Sequence, residues 1–343
     1  MSPVVLAATQ QHLAAAFVVA LVLGWAVFLF LSVKKSGEAA GDESATAPNR
    51  RPYLDDEGME GPRLESAQKA AIAMLLVIVF GMPIYWLREP GRQANAIVGF
   101  DERAASRGFV LWQPADSSVP EGNIGHFGCG GCHGIEGQGG QTRYTLTLPD
   151  GTAKQVFWKA PRLDTVLSRY SEEEVTAVIT YGRANTPMPA WGVEGGGPMN
   201  SQQVQDIIGY IKKLQLPKAE QQKLYAKEFA DAGLDFAGGA DLFDQFCARC
   251  HTKGWSYDWK TIGGMQFETP PPPGSGAFGF NLTNGSTLLQ FPDIEDHIEF
   301  ITTGSDFEKA YGSRGSGSGR MPGFGQMLTE AQIRAIVEYE RSL

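Results

Sequence analysis

Cys129-Gly130-Gly131-Cys132-His133 and Cys247-Ala248-Arg249-Cys250-His251 are the two stretches on which the fold turns. In each, two thiols stand three residues apart and an imidazole follows the second directly. Two thiols so spaced can form thioethers to the vinyl groups of a porphyrin while the histidine reaches its iron, which is how a c-type haem is attached. Two other chemistries use paired thiols. A redox-active dithiol needs no following histidine, and both pairs have one. Zinc would need both pairs in one site, yet they stand far apart in the chain. All four cysteines fall in these two motifs, so none remains for a disulfide framework. The reading that uses every residue is two covalently bound c-type haems, held by Cys129, Cys132, Cys247 and Cys250, with His133 and His251 on the irons.

An electron-carrying haem needs a sixth ligand, and methionine raises its potential relative to a second histidine. Working outward from the first motif, Thr186-Pro187-Met188-Pro189 holds a methionine between two prolines, each of which fixes its own φ and restrains the residue before it. After the second motif comes Gly319-Arg320-Met321-Pro322-Gly323. Met188 and Met321 are the expected axial ligands; Met199 and Met327 are the alternatives. The rest of each half repeats the same order. A middle helix is expected over Ser171–Tyr181 and Asp293–Thr303, and a closing helix over Ser201–Leu214 and Thr329–Leu343. Ser171 with Glu174 reads as a helix start. Val204, Ile207, Ile208 and Ile211 match Ile333, Ile336 and Val337 as one apolar stripe at helical spacing. Gly239 to Phe246 reads as a helix leading into the second motif. Arg107 to Leu111 reads as a remnant of the equivalent lead-in to the first.

The N-terminal third differs in kind. Residues 13–33 carry no charge and are rich in Leu, Val, Phe and Ala; residues 70–87 are a second uncharged run. Either can cross a hydrocarbon core of about 30 Å as a helix. Lys34, Lys35, Arg50, Arg51, Arg63 and Lys69 lie between the runs, which places that loop in the cytoplasm and the haem-bearing region on the extracytoplasmic side. The expected organisation is a two-span membrane anchor over 1–99, a first haem domain over 100–217, a linker over 218–235 and a second haem domain over 236–343. The net charge of -9 speaks against nucleic acid as a partner.

Together, the two C-x-x-C-H motifs with Pro187-Met188-Pro189 and Arg320-Met321-Pro322 resemble tandem class I cytochrome c domains from about Arg107 to Leu343. That resemblance implies an all-α fold, His and Met axial ligands, and electron transfer as the task. The layout is similar to the di-haem subunits of bacterial cytochrome bc complexes and of cbb3-type oxidases. In the actinobacterial bc subunit the membrane helix follows the haem domains, whereas here the anchors come first. The characteristic cbb3 segment around the second span is replaced by Pro83-Ile84-Tyr85-Trp86-Leu87-Arg88-Glu89-Pro90. The expected function is therefore a non-catalytic electron-transfer subunit of a respiratory complex in the cell membrane. It would pass electrons from a quinol-oxidising bc-type complex toward a terminal oxidase, with cytochrome b, a Rieske protein or an oxidase as partners. Two alternatives stay open: the haem-bearing subunit of a cbb3-type oxidase or of a membrane-bound dehydrogenase, and a di-haem peroxidase. A peroxidase needs an acid–base group beside an open iron position. His126 is close to the first motif's own proximal strand, and His297, among Glu295, Asp296 and Glu299, reads as a solvated residue.

Overall fold

The structure is a computed structural model. It describes residues 60–343 apart from 115–116, 119–124, 148–150, 258–260, 263–264, 267–270 and 314, with residues 19, 23–25, 27 and 30 nearer the N-terminus. But for those last few residues, the expected first span lies outside the described residues, as does the loop after it up to residue 59. The chain divides into two compact units, Met1–Phe100 and Asp101–Leu343.

In the first unit, helix α1 (Pro62–Leu76) passes through a π-helical stretch, Val77–Gly81, into α2 (Met82–Trp112). Pro83 has no N–H to return to the carbonyl four residues earlier, so the register slips where the proline approaches. Among the described residues one helix, Leu64–Trp112, is long and apolar enough to cross a membrane, and the expected span 70–87 lies inside it. Ile72, Val77, Ile78, Phe80, Ile84 and Leu87 are all exposed. An apolar run with no protein against it is at home in hydrocarbon.

The second unit is built from two cores. In the first, the end of α2 supplies Leu111 and Trp112, α4 (Glu172–Tyr181) supplies Val175 and Ile179, and α5 (Ser201–Leu214) supplies Val204, Ile207, Ile208 and Ile211. In the second, α6 (Lys218–Ala232) supplies Tyr225 and Phe229, and α7 (Gly239–Phe246) supplies Leu242, Phe243 and Phe246. There α10 (Ile294–Thr303) adds Ile298 and Ile301, and α11 (Glu330–Arg341) adds Ile333, Ile336 and Val337. Capping boxes start α4 (Ser171 with Glu174), α5 (Asn200 with Gln203) and α11 (Thr329 with Gln332), each satisfying two backbone N–H groups that the helix leaves unpaired.

Both cores close on the same crossing. Gly108 of α2 meets α5 so closely that a Cβ there would lie 1.9 Å from the Asp206 carbonyl oxygen. Gly239 of α7 meets α11 with the corresponding distance 2.1 Å, to the Ala335 carbonyl. Four residues on from each glycine an aromatic ring packs against a tyrosine of the closing helix: Trp112 on Tyr210 at 5.5 Å, Phe243 on Tyr339 at 5.4 Å between centroids. Arg107 to Leu111 is thus no remnant but the crossing segment itself, carried at the end of α2. A fork of hydrogen bonds from Arg107 to Asp206, at 2.7 and 2.8 Å, pins it.

One expectation is corrected. The fold is mostly helical but not all-α: β1 (Gly140–Thr147) and β2 (Ala153–Ala160) form an antiparallel hairpin in register from Gly140↔Ala160 to Thr147↔Ala153. Alternation along Arg143-Tyr144-Thr145-Leu146 and the strand-favouring run Val156-Phe157-Trp158, around Pro149-Asp150-Gly151, are the signal for it. A short pair, β3 (Thr261–Ile262) and β4 (Met265–Gln266), lies further on.

Candidate haem sites

The first attachment motif forms a single helical turn, α3 (Cys129–His133), entered through Gly128 and left through Gly134 at φ 77° and 79°. Trp112 Nε1 donates to the Gly134 carbonyl at 2.9 Å, and a Cβ on Gly130 would press on that same indole at 3.0 Å. The motif is therefore seated on the last residue of α2. The second motif follows α7 without a break and closes as α8 (Ala248–His251).

The two histidines are held alike. His133 Nδ1 lies 2.8 Å from the Pro161 carbonyl, and His251 Nδ1 lies 2.9 Å from the Phe280 carbonyl. A carbonyl only accepts, so each Nδ1 is the protonated nitrogen and each Nε2 keeps a free lone pair. Burial lowers the His133 pKa, opposed by the Pro161 carbonyl, which keeps the ring neutral and able to ligate. Burial also pushes the Cys129 thiol up to about 12, and Cys247 moves in the same direction for the same first reason. Once joined to haem as thioethers these sulfurs carry no charge, so their burial leaves no desolvated thiolate. Among the described residues no group of three His, Cys, Asp or Glu side chains could hold a metal ion. Donor set and surroundings fit haem. The carbonyl partners went unnoticed in the sequence; the signal for them is the step Pro161-Arg162-Leu163 against Phe280-Asn281-Leu282, with each leucine packed on its own core.

Met188 and Met321 occupy equivalent loops. Each follows a middle helix that ends on a left-handed glycine, Gly182 at φ 71° and Gly304 at φ 82°. A Cβ on Gly182 would come within 2.8 Å of the Met188 carbonyl, and one on Gly304 within 2.7 Å of the Met321 carbonyl. The next residue's N–H donates to that carbonyl in both cases: Arg183 to Met188 at 3.0 Å, Ser305 to Met321 at 2.9 Å. Further on, Trp191 N–H bonds the Ile179 carbonyl at 3.0 Å and Phe324 N–H the Ile301 carbonyl at 2.9 Å. Both methionines are half-buried against their cores. Met199 and Met327 are wholly enclosed within them, each 0% exposed.

The other two described histidines, His126 and His297, are placed firmly. His126 has both ring nitrogens near backbone carbonyls, Nδ1 at 2.7 Å from Val110 and Nε2 at 3.1 Å from Ser118. His297 is not solvated: it is 3% exposed, stacked on Phe291 at 4.8 Å, with Nε2 at 3.1 Å from Glu340 Oε2. It shares the inward stripe of α10 with Ile298 and Ile301, while Glu295, Asp296 and Glu299 take the other faces.

Comparison with known proteins agrees with this geometry. A family model described as cytochrome c matches residues 126–215, and one described as cytochrome c oxidase, cbb3-type, subunit III matches residues 235–339. No curated protein and no solved structure matches the chain. Two complete attachment motifs, two identically held histidines, two equivalent methionine loops and two family matches in succession make this chain a tandem di-haem cytochrome c, carrying two covalently bound c-type haems.

Proposed function

We propose that the chain is a membrane-anchored, non-catalytic electron-transfer subunit of a bacterial respiratory complex, taking electrons from a quinol-oxidising bc-type complex and passing them toward a terminal oxidase. The observation that carries this is the duplicated site, with a histidine fixed through Nδ1 and a methionine on a doubly hydrogen-bonded loop. Bound haem supplies a one-electron Fe(III)/Fe(II) couple, and everything else is the work of the polypeptide. Cys129, Cys132, Cys247 and Cys250 hold the porphyrins by thioethers. His133 and His251, each held in one tautomer by its Nδ1 carbonyl partner, would bind the irons through Nε2, and Met188 and Met321 would be the other protein ligands. Rigid ligand loops let an iron change oxidation state with little rearrangement. Among the described residues His126 and His297 are both engaged with neighbours, so neither of these histidines supplies the acid–base group a peroxidase needs. The exposed apolar stretch 70–87 of the helix Leu64–Trp112 would give the membrane attachment. A second span over 13–33 with a cytoplasmic loop after it would leave both haem domains on the extracytoplasmic side.

A second reading, the haem subunit of a cbb3-type oxidase itself, is favoured by the match over residues 235–339. Purification in mild detergent separates the two. Cytochrome b and a Rieske protein travelling with the chain would support the first, and an oxidase catalytic subunit the second. A flavin- or quinone-cofactor dehydrogenase as the sole companion would overturn both.

A further inference from the structure

The two haem domains meet along β2. Lys159 N–H donates to the Ser256 carbonyl at 2.7 Å, and the rings of Trp158 and Tyr257 lie 5.5 Å apart. Lys159 Nζ stands 4.1 Å above the Trp255 ring. Into the same seam the second attachment motif sends Arg249, whose Nη1 donates to the Lys159 carbonyl at 2.7 Å. Two residues on, just past the end of this strand, Pro161 accepts from His133. A side chain of the second motif is thus hydrogen-bonded to the segment that orients the iron-binding histidine of the first.

Arg249 stands with two more guanidinium groups from the first domain. Arg169 and Arg183 lie 5.9 and 5.7 Å from the ring of Tyr170. Burial first, and then the nearby Arg169, pull Arg249 down to about 10, with Arg183 adding to the effect. Burial raises the Cys250 thiol, and the charges of Arg183, Arg249 and Arg169 all oppose it. The three cations therefore share one neighbourhood beside an attachment cysteine. Among the described residues none of them has an ion-pair partner. The nearby carboxylates of Asp164 and Glu228 are taken by Arg162, at 2.8 Å each. Arg169 Nε is buried without any hydrogen-bond partner. Gathering like charges and leaving a buried donor unpaired is costly unless an anion completes the group. Arginine's planar fork is shaped for carboxylate. Haem carries two carboxylates on its propionate arms, and both attachment motifs adjoin this cluster.

We infer that Arg169, Arg183 and Arg249 form one carboxylate site, contributed by both domains, that takes propionate groups of bound haem, and that through it a charge borne by the second attachment motif acts on the haem of the first. The inference rests on the haem reading above. It makes Arg249 a positioning and tuning residue for its neighbour's haem.

The test is a spectroelectrochemical titration of the detergent-solubilised full chain, with two haems per chain verified by pyridine haemochrome in every variant. That count checks the haem reading separately from the inference. Removing a nearby positive charge favours ferric iron. Arg249→Gln and Arg169→Gln should therefore each lower the midpoint of the same redox step, by several-fold in the oxidised-to-reduced ratio at fixed potential. Arg249→Lys should retain most of the wild-type midpoint. The double variant should shift by less than the sum, because the carboxylate is shared. Should Arg249→Gln lose a haem, Arg249→Met, which keeps the length of the side chain without its charge, takes its place beside Arg169→Gln, and the same two results decide. Shifts in two different steps would show each arginine serving only its own haem and overturn the inference, as would no shift in either.

Discussion

Gly239→Ala is a one-methyl test of the crossing on which both domains close. The new Cβ would sit 2.1 Å from the Ala335 carbonyl oxygen, 2.8 Å from its carbon and 2.9 Å from Tyr339 Cβ. Non-bonded heavy atoms are best placed at about 3.5 Å, so α7 and α11 must part by roughly 1 Å. Backbone cannot swing aside as a flexible side chain can. The gap opens between Leu242 and Phe243 on one side and Ile333, Ile336 and Val337 on the other, all of them 1% exposed or less. A gap of that size forfeits about a quarter to a half of each dispersion contact, and overpacking of this kind costs about 1–3 kcal/mol. Alanine's better helix propensity returns at most about 1 kcal/mol. With a net loss of about 2 kcal/mol in a domain of this size, the midpoint of thermal unfolding should fall by roughly 10 °C. The assay is loss of the methionine–iron charge-transfer band on heating, which reports the closed crevice directly. Gly108→Ala, whose Cβ would lie 1.9 Å from the Asp206 carbonyl, should do the same to the first domain. Midpoints unchanged or raised in both variants would refute the claim that these crossings admit only glycine.

Other perturbations have equally definite outcomes. Met188→His should lower the potential of one haem by on the order of 100 mV or more, a fraction of the ~0.8 V that axial ligands span, and Met321→His should do so to the other; a charge-transfer band that survives both points to Met199 or Met327 instead. The lowered His133 pKa fixes a sign: the folded state resists protonation that the unfolded chain accepts near its ordinary value, so this stability is present above about pH 6.5 and lost as pH falls through the folded value. Acid-induced release of the first ligand should follow that direction, and a first domain more stable at pH 5 than at pH 7 would contradict it. Glu340→Leu strands the buried imidazole of His297, whose Nδ1 already has no partner. Leaving a buried donor unsatisfied costs about 1–3 kcal/mol, whereas His297→Leu/Glu340→Leu together should cost less than the sum of the singles in denaturant unfolding.

What could be read from the sequence is what local chemistry specifies. The attachment motifs are contiguous, the methionine loops announce themselves by proline, and Ser171 with Glu174 marks a helix start that depends on nothing beyond its own first turn. What escaped depends on partners distant in the chain. The crossing at Gly108 became visible only against Asp206 and Tyr210, because a lone glycine in a polar stretch carries no pattern of its own. His297 stands between acidic neighbours, so charge suggested solvent. Its position relative to Ile298 and Ile301 was the better guide, since the buried face of a helix is set by spacing and not by adjacency. The segment from Lys218 to Ala232 has the charge of a linker, yet Tyr225 and Phe229 are each 2% exposed, and a few apolar residues at helical spacing are enough to seat such a helix.

The hairpin links these two kinds of error. Arg143 to Leu146 alternates and Val156 to Trp158 favours a strand, yet a haem motif followed by a methionine loop implies helices between them, and two short strand signals are weak beside that implication. The hairpin matters because β2 joins the domains: Pro161, directly after it, orients His133, and its Lys159 carbonyl receives Arg249 from the other motif. A duplicated domain needs nothing between its copies to bind two cofactors. It does need a connection if the state of one cofactor is to be felt at the other. The insertion that breaks the symmetry of the repeat is the element that supplies one, and for that reason it could not be found by looking for what the two halves have in common.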